Sequence, residues 1–234
     1  MTVDTARGQG NDNSAFSVID ITESPYTQVA AYSDPNISPL LFPNLINKIG
    51  NEYNTAYVLV EINDIGQQVA DILHHDLEYE EVLKCMMKGR SGQIIGGGFT
   101  KRVQYGLRTT KSVKAIGCSN LKSMIENDTL IIPDFETIKE LTSFVTSGPS
   151  YAAEEGAHDD LTMTLVLFGW LAVQKYFKEL TDQDLRLKIY EERIKSMDAE
   201  IIPFGILGEE DESSFVDADG QRWETVDEPV GHGL

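Results

Sequence analysis

Three acidic residues stand where the surrounding pattern is apolar: Asp4 in "TVDTA", Glu61 in "VLVEIN" and Asp160 in "HDDLTM". Burying a charge is costly unless something pairs with it, and a metal ion is one such partner. Each acid has an ordinary explanation by itself. Asp4 precedes a glycine-rich turn that it could cap. A glutamate ending a strand can face solvent. An aspartate at a helix start can cap the helix or favour its dipole. Together they suggest more. Carboxylates that meet in space repel one another unless a divalent cation neutralises them. Hard carboxylate oxygens select Mg²⁺ or Mn²⁺, and no His/Cys ligand cluster in the sequence competes for a softer metal. Two such ions about 4 Å apart would clamp the attacking and leaving oxygens of a phosphodiester displacement.

The elements that must position these groups follow from hydrophobic periodicity. Residues 2–6 and 14–22 read as a β-hairpin around the turn at Gly8–Asn13, and 26–33 as a third strand. A helix is expected over 37–53, with Pro43 breaking or starting it. "TAYVLVEI" (55–62) is apolar nearly throughout, which predicts a central, parallel strand ending at Glu61. Helices are predicted over 66–78, 109–127 and 135–145, a short strand over 129–133, and a glycine-rich loop or hairpin over 89–106. The last helix, 158–177, is apolar almost all round and so buried, with Asp160 on the face of Met163, Thr164, Leu167 and Leu171. The pattern does not decide whether Asp159 or Asp160 points inward. The order predicts an α/β fold with a mixed sheet whose first strands form an antiparallel meander. Residues 1–196 read as one domain, and 197–234 as an acidic tail without periodicity.

Charge is distributed unevenly along this chain of net charge −19. From Leu83 to Ile125 there is no acid but nine basic residues, whereas from Asp198 to Leu234 there are eleven acids and one base, Arg222. A single charge run is usually a solvated face, but an acid-free stretch of 43 residues points to a polyanion-binding surface. Lys88, Arg90, Lys101, Arg102, Arg108, Lys111 and Lys114 are its candidate DNA-phosphate contacts. The chain has no run of about 18 apolar residues, and no basic segment leading into an apolar core as in a signal peptide. Its two cysteines, Cys85 and Cys118, make neither a disulfide framework nor a zinc site, and read as reduced thiols.

Four segments in order, "TVDTARGQGNDNSAF", "YVLVEINDIGQQVADILHHDLEYE", "KAIGCSNLKSMIENDTLII" and "SYAAEEGAHDDLTMTLVLFGW", resemble the C-terminal nuclease domain of the large terminase subunit of T-even-like tailed bacteriophages. The resemblance runs from Thr2 to about Tyr176. It implies an RNase H-like (resolvase-type) fold and metal-dependent endonuclease activity on concatemeric double-stranded DNA during genome packaging, with a two-metal Mg²⁺ or Mn²⁺ site. It implies as partners a packaging ATPase domain or chain, the portal and the small terminase subunit, at the prohead in the host bacterial cytoplasm. By position, Asp4, Glu61 and Asp160 match the catalytic, metal-holding carboxylates. Asp12 matches a further acidic position near the centre, and His158 and Asp159 stand beside the motif. The segment "KGRSGQIIGGGFTKRVQYGLRTT" (88–110) is longer than expected of the family, and its glycines and cations suggest an enlarged DNA-contacting loop.

The G-x-x-x-x-G-K-[ST] phosphate loop of a packaging ATPase is absent from the sequence. The expectation is therefore an excised nuclease segment or the product of a split gene. Other readings compete. A Holliday junction resolvase would use the same carboxylates on branched DNA. A non-catalytic DNA- or portal-docking module would use them only as caps. A sugar-kinase-like ATPase would need a second phosphate-binding hairpin, which is not found.

Overall fold

The computed structural model describes residues 1–10, 12–87, 92–96, 103–148, 150–182, 214–216 and 220–224. Strands β1 (Thr2–Asp4), β2 (Ser14–Asp20) and β3 (Tyr26–Asp34) form the expected antiparallel meander. The β1–β2 turn needs glycine at Gly8, where φ is +67° and a Cβ would lie 2.5 Å from the Ile37 carbonyl oxygen. Helix α1 (Phe42–Glu52) starts later than position 37, because Pro43 occupies its first turn, where a missing N–H costs nothing.

Strand β4 (Leu59–Val60) is shorter than the 55–62 expected and runs parallel to β1, pairing Thr2 with Leu59 and Val3 with Val60. Its other edge bonds too, through parallel bridges of Val58 with Val82 and Glu61 with Leu107. Both faces of this strand are covered, Val58 and Val60 by one core and Leu59 by the other, which explains why the segment is apolar without alternation. Helix α2 (Gly66–Asp71) continues as a π-helical turn, Ile72–Asp76.

The glycine-rich segment expected as a loop or hairpin over 89–106, with the residues just before it, supplies a small antiparallel sheet of β5 (Lys84–Met87), β6 (Gln93–Ile95) and β7 (Val103–Tyr105), in the order β6-β5-β7. Helix α3 (Lys111–Glu126) is capped by Thr110, whose hydroxyl accepts from the Val113 N–H. Strand β8 (Leu130–Ile131) pairs parallel with β3, completing a five-stranded sheet of order β4-β1-β2-β3-β8. Helix α4 (Phe135–Thr142), capped by Asp134, ends short of 145, since Phe144 opens a hairpin of β9 (Phe144–Ser147) and β10 (Ser150–Ala153). Helix α5 (Asp160–Ala172) also ends early. A turn at 173–174 breaks the expected 158–177 helix and brings Phe177 back, edge-on against Tyr26 and Phe168 with ring centres 5.9 and 5.8 Å away.

The five-stranded sheet has a core on each face. Val3, Phe16, Val18, Val58 and Val60 pack with Phe42 and Ile46 of α1 and Val69 of α2. On the other face, Ile19 and Leu59 pack with Val113 and Leu121 of α3 and Leu165 and Phe168 of α5. Every residue of α5 from Asp160 to Leu171 is buried. A buried polar chain fixes this helix to the sheet. The Ser17 and Thr164 hydroxyls share a hydrogen bond of 2.6 Å, and the Gln28 amide donates to Ser17 (2.9 Å) and to Thr137 of α4 (3.2 Å). The three hydroxyls and the Gln28 NH₂ are thereby satisfied at a point where an orphan would cost about 1–3 kcal/mol, while the Gln28 Oε1 is buried with no hydrogen-bond partner.

The chain forms two compact units, Met1–Lys188 and Ile189–Leu234. The described residues of the second form one antiparallel hairpin, β11 (Ser214–Val216) with β12 (Arg222–Glu224), in a stretch where periodicity predicts no element.

Helices α3 and α5 cross with backbones in contact. A Cβ on Gly169 would sit 2.5 Å from the Gly117 carbonyl oxygen, and one on Gly117 2.3 Å from that of Val166. The Asn120 amide donates to the Gly169 carbonyl at 2.8 Å, sealing the crossing. In a free helix, Gly→Ala gains about 1 kcal/mol. Here the backbone collision costs about 1–3 kcal/mol or more and outweighs that gain. Gly169→Ala should therefore lower the urea midpoint and Tm, whereas propensity alone predicts a rise.

Candidate active site

Sheet alternation aims the first two carboxylates. Val3 and Val60 are paired across parallel strands and both point to the α1/α2 core. The next residue on each strand must then point to the α5 face, side by side. Those residues are Asp4 and Glu61, and the Glu61 N–H donates to the Val3 carbonyl at 2.8 Å. The Thr5 hydroxyl donates to the Glu61 carbonyl oxygen at 3.3 Å, tying the two strand ends together.

The Asp4 carboxyl is held well above the usual carboxylate range. Burial is the largest cause, followed by a hydrogen bond and charge repulsion from Glu61 and the charge of Asp160, with the Thr5 N–H acting in the opposite sense. Facing carboxylates repel, so Asp4 holds its proton more tightly when nothing else neutralises the pair. Glu61 is oriented by Asn63, whose amide donates to its Oε1 at 2.9 Å and to the Thr109 carbonyl at 3.0 Å.

Asp160 is the third group, at the first turn of α5 and only 7 % exposed. Its Oδ2 is buried with no hydrogen-bond partner. Burial, the largest cause, raises its pKa to about 6, the Asn13 backbone N–H and the charge of His158 oppose the rise, and Asp159 and Asp12 add to it. His158 lies beside it, Nδ1 to Oδ2 3.6 Å. Asp12 is exposed in the β1–β2 turn. Asp159 turns to Lys114 of α3, at 3.7 Å. The structure thus sets Asp4 beside Glu61, with the charge of Asp160 acting on Asp4, and Asp160 is the more buried of the pair in "HDDL".

Of the basic candidates, Lys88, Arg90, Lys101 and Arg102 lie outside the described residues. Arg108 and Lys111 are exposed. They stand one residue before and two after Thr109, whose carbonyl accepts from the Asn63 amide that also donates to Glu61. Lys114 is less free, paired with Asp159 and lying over the Phe144 ring at 5.4 Å.

Sequence reasoning missed Thr5, Asn63 and Gly66. A Cβ on Gly66 would lie 1.8 Å from the Glu61 carbonyl oxygen and 2.6 Å from the Thr5 hydroxyl, so only glycine lets α2 begin this close to the site. The dipeptide "IG" opening a predicted helix was the available signal, since glycine there lowers helix propensity.

The donors suit a hard divalent cation. They are carboxylate oxygens, one of them an orphaned buried atom, and without a cation burial and Glu61 hold the Asp4 carboxyl well above the usual range. Among the described residues, however, no three His, Cys, Asp or Glu side chains stand ready-grouped to hold an ion. The arrangement is a facing pair, Asp4 and Glu61, with Asp160 close enough for its charge to act on Asp4.

Asp160 generates a pH prediction. Its folded pKa is about 6 against an ordinary value of 3.8, so the fold binds this proton more tightly than the unfolded chain does. The cost of ionising it therefore sets in as pH rises through that window and is complete above it. That cost is on the order of 2–3 kcal/mol. In chelator, Asp160→Asn should raise Tm at pH 7.5 by about 5 °C. The gain should fade towards pH 4 in thermal melts across that range.

Residues 1–168 match the family model described as the terminase RNase H-like domain. Two solved structures share the fold. The large terminase nuclease of thermophilic phage G20c with bound cobalt is 20 % identical, with a TM-score of 0.53 and coverage of 71 % of this chain and 77 % of that one. The same nuclease with bound magnesium is 21 % identical, with the same TM-score of 0.53 and the same coverage. The RNase H-like fold and the family inferred from the four sequence segments agree with these matches, and the chain belongs to the terminase RNase H-like domain family.

Proposed function

We propose that this chain is a divalent-metal-dependent endodeoxyribonuclease that cuts double-stranded phage DNA during genome packaging. The observation that carries the reading is the meeting of Asp4 and Glu61, on adjacent parallel strands, beneath the buried Asp160 of α5 in a chain of this family. Relatives of the same fold with bound cobalt and magnesium support the metal.

Asp4, Glu61 and Asp160 would hold the metal. When bound, a pair of Mg²⁺ or Mn²⁺ ions would supply Lewis acidity and an activated water for the in-line displacement. The residues of the chain do the rest. Asn63 fixes the rotamer of Glu61, Thr5 locks the two strand ends, and the polar chain beneath α5 holds Asp160 against them. Arg108 and Lys111 take the DNA backbone, together with the basic segment before them. Phosphate contacts carry no base information, which gives low sequence specificity. The partners of this reading are concatemeric DNA, a packaging ATPase domain or chain, the portal and the small terminase subunit, at the prohead in the bacterial cytoplasm.

Supercoiled plasmid should be nicked and linearised with Mg²⁺ or Mn²⁺. Cutting should stop in chelator, and Ca²⁺ should support binding without cleavage, because its looser, higher coordination spoils the clamp. Asp4→Asn should reduce cleavage to background while circular dichroism stays native. Cleavage that survives chelation would exclude the mechanism. Replacing Arg108 and Lys111 together by Ala should weaken binding to all sequences alike and flatten the slope of log affinity against log salt by up to about two.

A further inference from the structure

The first turn of α5 lacks the cap its own sequence should provide. Asp159 occupies the N-cap position without a side-chain cap hydrogen bond, because it is turned to Lys114. The first amides of a helix need acceptors, and a buried helix cannot take them from water. The acceptor comes instead from a different helix. Glu140 of α4, 22 positions earlier, takes the Thr162 N–H on its Oε2 at 3.0 Å. The Leu161 N–H adds a second, weaker contribution to the same carboxylate.

This is an expensive place for a carboxylate. Glu140 is half-buried and feels the charges of Asp160 and Asp159. Repulsion and desolvation oppose it, and the amides at the positive end of α5 offset that cost. Helix α4 is itself anchored to the sheet, since the Thr137 hydroxyl donates to Asp134 at 2.7 Å and accepts from Gln28 at 3.2 Å. The line Gln28–Thr137–α4–Glu140 therefore ends on the turn that carries Asp160.

We propose that Glu140 is a positioning residue for the metal site. It caps α5 from α4 and so sets where the Asp160 carboxylate stands relative to Asp4 and Glu61. Glu140 itself touches neither metal nor DNA. This rests on the nuclease reading for the role of Asp160, though not for the cap.

The test compares Glu140→Ala, Glu140→Gln and Glu140→Asp with the parent chain by two readouts. One is amide exchange at Leu161 and Thr162 without metal. The other is Mn²⁺ affinity by calorimetry. Gln keeps an acceptor oxygen at the same reach without charge, whereas Asp keeps the charge but is one methylene short. The expected result is faster exchange and about 10-fold weaker Mn²⁺ binding in the Ala and Asp variants. Gln should stay near the parent in both. Unchanged exchange in Ala would overturn the cap. Faster exchange with unchanged Mn²⁺ affinity would reduce Glu140 to a structural cap and overturn its role at the site. Rescue by Asp in place of Gln would make charge the operative property, and would also overturn it. If the Ala variant does not fold, the contrast of Gln with Asp still decides. A parent chain that binds no Mn²⁺ would instead sink the nuclease reading, and is told apart because the exchange readout needs no metal.

Discussion

Carboxylates crowded on one face of a sheet, away from bulk water, are the constraint on which the rest of this structure turns. Burial, Glu61 and Asp160 raise the proton affinity of Asp4, and Asp160 has a buried oxygen with no hydrogen-bond partner. Without a cation, such a site favours separation of its parts. The fold must hold them together by interactions made elsewhere, and those interactions surround α5.

Helix α5 is held from three directions. From the sheet, Ser17 bonds to Thr164, and Gln28 donates to Ser17. From α3, the Gly117–Gly169 crossing lets two backbones touch, and Asn120 closes it. From α4, Glu140 satisfies the helix start. Its apolar residues supply the burial, but burial is non-directional and permits sliding. The polar and close-packed contacts set register, which matters for a group that has to meet two others to within an ångström or so.

Electrostatics divides along the chain in the same spirit. A protein of net charge −19 repels a polyanion on average, so approach depends on local positive surface. Arg108 and Lys111 lie next to Thr109, and Asn63 joins that loop to Glu61. The loop that carries these cations and the Glu61 carboxylate are thus tied by a single side chain. Lys114, from the same acid-free run, faces Asp159 instead and tempers the negative charge behind Asp160.

Much of this was legible in residue order. Local patterning determined the meander, the all-buried helix and the three acids, because a carboxylate in an apolar segment contradicts its surroundings wherever the segment ends up. The small sheet of β5, β6 and β7 and the β9–β10 hairpin were not legible, since strands of three or four residues around glycine carry too short a period. The end of α5 at Ala172 was not legible either, because Phe177 finds its partners, Tyr26 and Phe168, only in three dimensions. The tertiary structure alone decided that Asp160 is more buried than Asp159, that Gly66 must lack a Cβ beside Glu61, and that Glu140 caps a helix 22 residues away. Such facts depend on which backbones approach one another. Sequence records the chemistry each residue brings, while proximity across the chain exists only once the sheet and helices have packed.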